Sequence, residues 1–322
     1  MLTIYHLDKG KVCQTVVTGG IEALPHNTVW VDLLHPAREE ELIIEKLLFI
    51  AMPTREKMQE IEDSSRLYTE KDAVVMTLPV INKSTTDEPE TAAITFIMTG
   101  TRLVTIRYAD PAPFGMFIQR INRQPALAVS GEQVLIGLLE QVADRLADIL
   151  ETEAADLEKL SRNIFRSDGD SGESQNFREA LKRIGTIGDI ATKAKNTLLN
   201  LNRLLLFFAA NAGVKRETKR RMETLQRDIH SIDEHALFLS EKTGFMLDAT
   251  LGMINIEQNN IIKIFSVAAV TFLPPTLIAS VYGMNFESMP ELKWDLGYPF
   301  AIALMLASAV LPFLYFRRKN WL

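Results

Sequence analysis

The chain of 322 residues holds one cysteine, Cys13, and five histidines. A single thiol excludes an internal disulfide and fits a reducing compartment. With no catalytic company, Cys13 reads as a small apolar residue. His230 and His235 stand about 140° apart around a helix, so they cannot share a metal as an i, i+4 pair does. Also missing are a Walker A phosphate loop, a Gly-x-Ser-x-Gly elbow and a Gly-x-Gly-x-x-Gly turn, which leaves an enzyme reading without a site. Asp168-Gly-Asp170-Ser-Gly172 begins like a calcium loop. Gly172 stands where the third ligand belongs and no correctly placed Glu follows, so the segment reads as a turn between helices. Basic excess is absent too: 35 Lys and Arg against 41 Asp and Glu give a net charge of −6. Nucleic acid, which calls for a basic stripe, is not an expected partner.

The most consequential absence is local. Residues 264–286 and 296–316, runs of 23 and 21, carry no charged side chain. Each matches the roughly 20 apolar residues a helix needs to cross a bilayer. Whole-chain statistics hide this, because a mean hydropathy near zero averages the two runs with an acidic remainder. Past residue 263, four cations stand against three acids, so the overall −6 leaves −7 on residues 1–263. An acidic soluble part suits divalent cations better than polyanions. The N-terminal run Met1-Leu-Thr-Ile-Tyr-His-Leu-Asp8-Lys9 has no basic stretch before an apolar core, so no secretory signal is expected and the soluble part should stay in the cytosol.

What is present divides into three parts. Residues 1–128 read as an N-terminal cytosolic α/β domain. In it, Thr28-Val-Trp-Val-Asp-Leu33, Ala73-Val-Val-Met-Thr-Leu78, Ala92-Ala-Ile-Thr-Phe-Ile-Met98 and Arg102-Leu-Val-Thr-Ile-Arg107 are β-branched runs bounded by turn residues, and residues 36–50 read as a helix. Residues 129–263 read as a helical and stalk domain. Val134, Leu138, Val142, Leu146 and Ile149 share one face of a first long helix; Phe177, Leu181, Ile184, Ala191 and Leu198 line a second, ending near Asn211-Ala-Gly213. These two are expected to be antiparallel. Residues 264–322 form a transmembrane hairpin. The fold class is thus an α+β cytosolic domain, then long helices forming a coiled-coil-like stalk, then two C-terminal transmembrane helices.

In the third helical stretch Met222, Leu225, Ile229, Ile232, Ala236, Leu239, Thr243, Met246, Thr250 and Met253 alternate steps of three and four, the spacing of a coiled coil. No breaker separates it from the first span. One helix over residues 215–281 would be roughly 100 Å long. The seam has two readings: stalks of several copies pack together, or the helix packs within its own chain.

Two spans return the chain to the side on which it began. Phe316-Arg317-Arg318-Lys319-Asn320-Trp321-Leu322 places a basic cluster beside the second span, the mark of the cytoplasmic side, with Trp321 at the interface. Both termini are then cytoplasmic, and the linker carrying Glu287, Glu291 and Asp295 against Lys293 faces outward with −2 per chain. Two helices cannot enclose a water-filled path, whereas several hairpins around an axis can. Pro274-Pro275 should loosen the first span. Thr271, Thr276, Ser280 and Asn285 add polar groups to it, which serve either a polar path or helix packing.

At the outer end of the first span stands Tyr282-Gly283-Met284-Asn285-Phe286, followed by Met289-Pro290-Glu291-Leu292. Set between two C-terminal spans and followed by a basic tail, this constellation resembles the CorA family of magnesium transporters, whose signature it carries. The resemblance is close from Asn255 to the end, including Ile256-Glu-Gln-Asn-Asn-Ile-Ile-Lys263, Phe272-Leu-Pro-Pro-Thr276, Lys293-Trp294 and Gly297-Tyr298-Pro299. Upstream it is looser, at Trp30-Val-Asp-Leu33 and over residues 53–68. It implies a homopentamer in the cytoplasmic (inner) membrane, with first spans lining a pore and second spans outside them. Carried over residue by residue, it makes Asn285 the polar ring meeting the ion, with Tyr282, Gly283 and Met284 completing the mouth. Asn259, Ile262, Phe265, Leu273, Thr276 and Ser280 would line the path, Ile262 and Phe265 as its apolar constriction. Mg²⁺ would be both cargo and regulator, with Asp228, Asp233 and Asp248 as candidate regulatory ligands; a solvated acidic face is the alternative for each.

Physical chemistry agrees with that role. Mg²⁺ sheds its waters reluctantly, so a ring of amide oxygens can hold the hydrated ion through them. Five copies of a −2 loop would put −10 around the mouth and concentrate cations. Influx needs no ATP, because a divalent ion gains roughly 4.6 kcal/mol per 100 mV. Co²⁺ or Ni²⁺ could share the path. The rivals are a zinc transporter of the same superfamily and a non-conducting, membrane-anchored oligomeric scaffold or sensor.

Overall fold

The computed structural model describes residues 1–60, 62–82, 89–165, 177–285 and 289–319. The turn at Asp168 to Gly172, Glu287 and Trp321 lie outside the described residues. The N-terminal half contains β1 (Leu2–Asp8), β2 (Lys11–Val17), β3 (Thr28–Leu34), α1 (Arg38–Leu48), α2 (Arg55–Gln59), α3 (Asp63–Arg66), β4 (Leu67–Glu70), β5 (Ala73–Asn82), β6 (Glu90–Thr99), β7 (Arg102–Arg107) and α4 (Ala112–Arg123). Three long helices follow, α5 (Gly131–Phe165), α6 (Phe177–Asn211) and α7 (Arg216–Tyr282), and then α8 (Gly297–Arg318). Contacts divide the chain into two compact units, Met1–Leu247 and Asp248–Leu322.

In the first unit the strands form one seven-stranded sheet in the order β2-β1-β3-β7-β6-β5-β4. Only β3 and β7 are parallel neighbours; the other pairs are antiparallel. The central strands are buried on both faces, which is why they read as continuous β-branched runs rather than as alternations. β2 is a polar edge strand, joined to β1 through Lys9 and Gly10 at φ 46° and 79°, the two positive values a tight hairpin turn requires.

Helices cover both faces of the sheet. On one, Ile44 of α1 and Met58 of α2 pack against Val31, Leu33, Ile97 and Val104. On the other, Trp30 stacks on Tyr5 with ring centroids 4.2 Å apart and meets Phe114 and Phe117 of α4 at 6.2 and 6.0 Å. α5 starts against the sheet: the Gly131 N–H donates to the Thr101 carbonyl at 2.8 Å, and a Cβ at Gly131 would lie 2.5 Å from the Leu103 nitrogen. A buried polar chain ties β3 to β7. Trp30 Nε1 donates to Thr105 Oγ1 at 2.9 Å, Thr105 donates to Asp32 at 2.6 Å, and Arg107 Nη2 reaches Asp32 at 2.7 Å.

The long helices of this unit run side by side. Arg183 of α6 bonds Glu153 and Asp156 of α5, and Thr218 and Arg221 of α7 bond Glu132 and Glu140 of α5. Met222, Leu225, Ile229, Ala236, Leu239, Thr243 and Met246 are buried here. Over this length the seam of threes and fours is filled inside one chain, so the spacing alone does not call for a second copy. α7 itself is unbroken across 67 residues, including Pro274 and Pro275.

In the second unit, α7 and α8 each contain an apolar stretch long enough to cross a membrane, and only 6% of each is buried. The core helices of a soluble protein would instead be mostly covered.

Candidate ion path and cation sites

Steps of three, three, eight, three and four lead from Asn259 through Ile262, Phe265, Leu273 and Thr276 to Ser280. At 3.6 residues per turn these six fall within about a third of the helix circumference. All six are exposed in the single chain, Phe265 at 71% and Leu273 at 66%. Apolar side chains that bare on an intact helix require a covering of lipid or of other helices. The structure therefore brings the predicted path residues together as one stripe.

Polar groups on the stripe are arranged by the helix. Thr276 donates its hydroxyl proton to the Phe272 carbonyl at 2.7 Å, and Ser266 does the same to Ile262 at 2.7 Å. With the proton turned inward, the oxygen presents its lone pairs away from the helix. Ser266 belongs to the stripe although sequence reasoning missed it; its signal was the step of four from Ile262 and seven from Asn259. Pro274 and Pro275 have no N–H to offer the carbonyls of Val270 and Thr271, so acceptors are freed near the middle of the span. The Thr271 Oγ1 atom is enclosed without a hydrogen-bond partner among the described residues.

At its C-terminal end the helix closes with Tyr282. The Gly283 N–H still donates to Ala279 at 2.9 Å, and Met284 turns back to Val281 at 3.3 Å. A Cβ at Gly283 would stand 3.2 Å from the Ala279 carbonyl, so glycine lets the chain leave the helix closely. Asn285 follows, exposed, and Met284 is 47% exposed. Of the acids between the two apolar helices, Asp295 is exposed beside Trp294, whose ring lies 5.8 Å from Phe300; Glu291 is placed only by its backbone in a short helical turn, Pro290–Lys293.

The three stalk aspartates do not converge. Asp228 is exposed on α7 and faces α5 closely enough to act on Asp144, whose carboxyl is pushed above its ordinary value by desolvation first, then by Glu140, Asp148 and Asp228, against Arg120. Asp233 is half-buried in a cavity of about 430 Å³ between α6 and α7, beside Asn196, Asn202 and Gln226. Asp248 is exposed at the start of the second unit. Among the described residues no three His, Cys, Asp or Glu side chains gather to hold a metal.

A family model described as CorA-like Mg2+ transporter protein matches residues 26–318. The magnesium transport proteins CorA of Salmonella typhimurium and Escherichia coli are each 36% identical to the chain, over 322 and 323 residues, with both chains covered in full. The complete structure of the CorA magnesium transporter from Methanocaldococcus jannaschii superposes with a TM-score of 0.76 at 19% identity, covering 100% of this chain and 99% of that one, which establishes the shared fold. A sheet-containing N-terminal domain, long helices and two C-terminal apolar helices, matched by sequence and by structure over the whole length, lead to one conclusion: the chain belongs to the CorA-like Mg²⁺ transporter family.

Proposed function

We propose that this chain assembles as a homopentamer in the inner membrane and conducts Mg²⁺ inward, channel-like, down its electrochemical gradient. The observation that carries the proposal is the exposed stripe from Asn259 to Ser280, which ends at Tyr282, Gly283, Met284 and Asn285. Repeated around an axis, it lines a path with hydroxyl and amide oxygens and narrows it with Ile262 and Phe265. Hydrated Mg²⁺ meets the Asn285 ring first, gathered by Glu287, Glu291 and Asp295. Both termini, with residues 1–128 and 129–263, stand on the cytosolic side, and residues 264–322 form the membrane hairpin. Co²⁺ and Ni²⁺ are secondary cargo.

Regulation follows from the same assembly. Among the described residues no three acids gather at Asp228, Asp233 or Asp248, so a neighbouring copy completes each cation site, and internal Mg²⁺ bound there holds the path closed. Two measurements on proteoliposomes test these statements. With an internal Mg²⁺ dye, influx rises with inside-negative voltage and is competed by Co²⁺ and Ni²⁺ more than by Zn²⁺; absence of Mg²⁺ influx overturns the conduction reading. Replacing the three aspartates by Asn keeps influx high when internal Mg²⁺ is high; unchanged inhibition overturns the regulatory one.

A further inference from the structure

The first unit contains a cavity of about 640 Å³ that the ion path does not use. Small-molecule sites span about 300–1,000 Å³. It opens where β3 and β7 end side by side: His35, at φ 45°, follows one strand, and Tyr108, Ala109 and Asp110 follow the other. The crevice beyond the carboxyl ends of parallel strands is a recurrent ligand position. Buried Met58 and Pro79 and half-buried Ala92 and Ala93 supply apolar wall.

The polar groups in the cavity are unequal. Its acids are occupied: Asp110 takes Arg107, and Glu90 is not free either. Tyr108 gives its hydroxyl to Glu41 at 2.8 Å, and burial with that bond pushes the phenol up to about 12, so it stays neutral. Arg55 lies over the Tyr108 ring, 5.1 Å from the centroid, a placement that leaves the in-plane N–H edge of the guanidinium available. Arg66 is held by the Glu60 carbonyl at 2.7 Å and Asn200 at 3.3 Å, bonds made by Nε and Nη1 that spare its second Nη. Donors of two guanidinium groups therefore line a space whose carboxylates are already engaged.

We propose that this cavity binds a small organic oxyanion, a phosphorylated or polycarboxylic metabolite, with Arg55 and Arg66 gripping its anionic group and the Met58 and Ala93 wall covering its body. Guanidinium forks match phosphate and carboxylate alike. The site is separate from the ion path and does not depend on conduction.

The test uses full-length detergent-solubilised protein, with EDTA present, and isothermal titration of ATP and of citrate separately. Saturable binding of one equivalent per chain is expected for at least one probe, and the pair distinguishes phosphate from carboxylate. Arg55→Ala weakens it tenfold or more. Arg66→Lys, which keeps charge but loses the fork, weakens it less. Arg120→Ala, which removes a half-buried cation of α4 outside the cavity, leaves it unchanged. No binding of either probe at millimolar concentration, or Arg55→Ala binding like the wild type, overturns the proposal.

Discussion

The hydroxyl of Thr276 is committed to the carbonyl of Phe272, 2.7 Å away in the turn below. Its oxygen is thereby set as an acceptor on the stripe. Thr276→Val keeps the side-chain shape and removes that acceptor. Loss of one hydrogen bond to the passing hydration shell, about 1 kcal/mol, should lower Mg²⁺ influx about fivefold. Thr276→Ser should conduct nearly as the wild type does, and a Thr276→Val rate equal to wild type would remove Thr276 from the path.

Asp32 and Arg107 are 2% and 4% exposed and meet at 2.7 Å beneath the sheet's parallel pair. Arg107→Met strands a buried carboxylate and should cost about 3–5 kcal/mol. Trp30, bonded to Thr105 in the same chain of contacts, reports the unfolding by its fluorescence. A loss under about 1 kcal/mol would mean that water reaches Asp32.

Two glycines should behave oppositely. A Cβ at Gly137 would lie 2.3 Å from Phe117 Cε2, and Phe117 is fully buried, so Gly137→Ala should cost about 1–3 kcal/mol. Gly185 has nothing within 4 Å of that position, so Gly185→Ala should stabilise α6 by about 0.5–1 kcal/mol. Equal denaturation midpoints for the two variants would contradict the packing described.

The pH dependence of stability should carry two opposite signatures at Arg183, whose Nη2 is 2.8 Å from both Glu153 and Asp156. Burial, with Asp156 adding and Arg183 opposing, raises the Glu153 carboxyl. A raised acid holds its proton more tightly when folded, so its contribution falls as pH climbs above about 4.3 through the higher folded value. Asp156, lowered by its bonds to Arg183 and Lys159, contributes above about 3.9 and loses that contribution as pH falls. Glu153→Gln should flatten the first slope of the thermal midpoint, and Asp156→Asn the second. Curves superimposable on wild type for both would refute the assignment.

Much of this architecture was legible in the sequence because its signals are long or dense. The strands at Thr28, Ala73, Ala92 and Arg102 and the unbroken helix through the first span emerge as read, since β-branched runs and an uncharged stretch of 23 residues admit few alternatives. The edge strand β2 escaped because Lys11, Gln14 and Thr15 face solvent and dilute its pattern. α4 escaped because Pro113 and Gly115 mask the Phe114, Phe117, Ile121 face that buries it. The heptad seam was visible, but spacing cannot say whose side chains fill it; between Met222 and Met246 they belong to the same chain. For the path, Asn259, Ile262 and Thr276 came from the family resemblance and not from any pattern in the sequence itself, and the inward donation of Ser266 is a matter of rotamer that spacing does not encode.

The central claim is that Mg²⁺ passes a ring of Asn285 amides at the outer end of this stripe. Mg²⁺ influx into proteoliposomes, compared for wild type and Asn285→Ala at the same inside-negative voltage and the same incorporated protein, tests it most directly. The account predicts that the variant, assembled as the wild type is, loses at least nine-tenths of the influx, more than about 1.4 kcal/mol at the mouth. Influx undiminished by Asn285→Ala would contradict it.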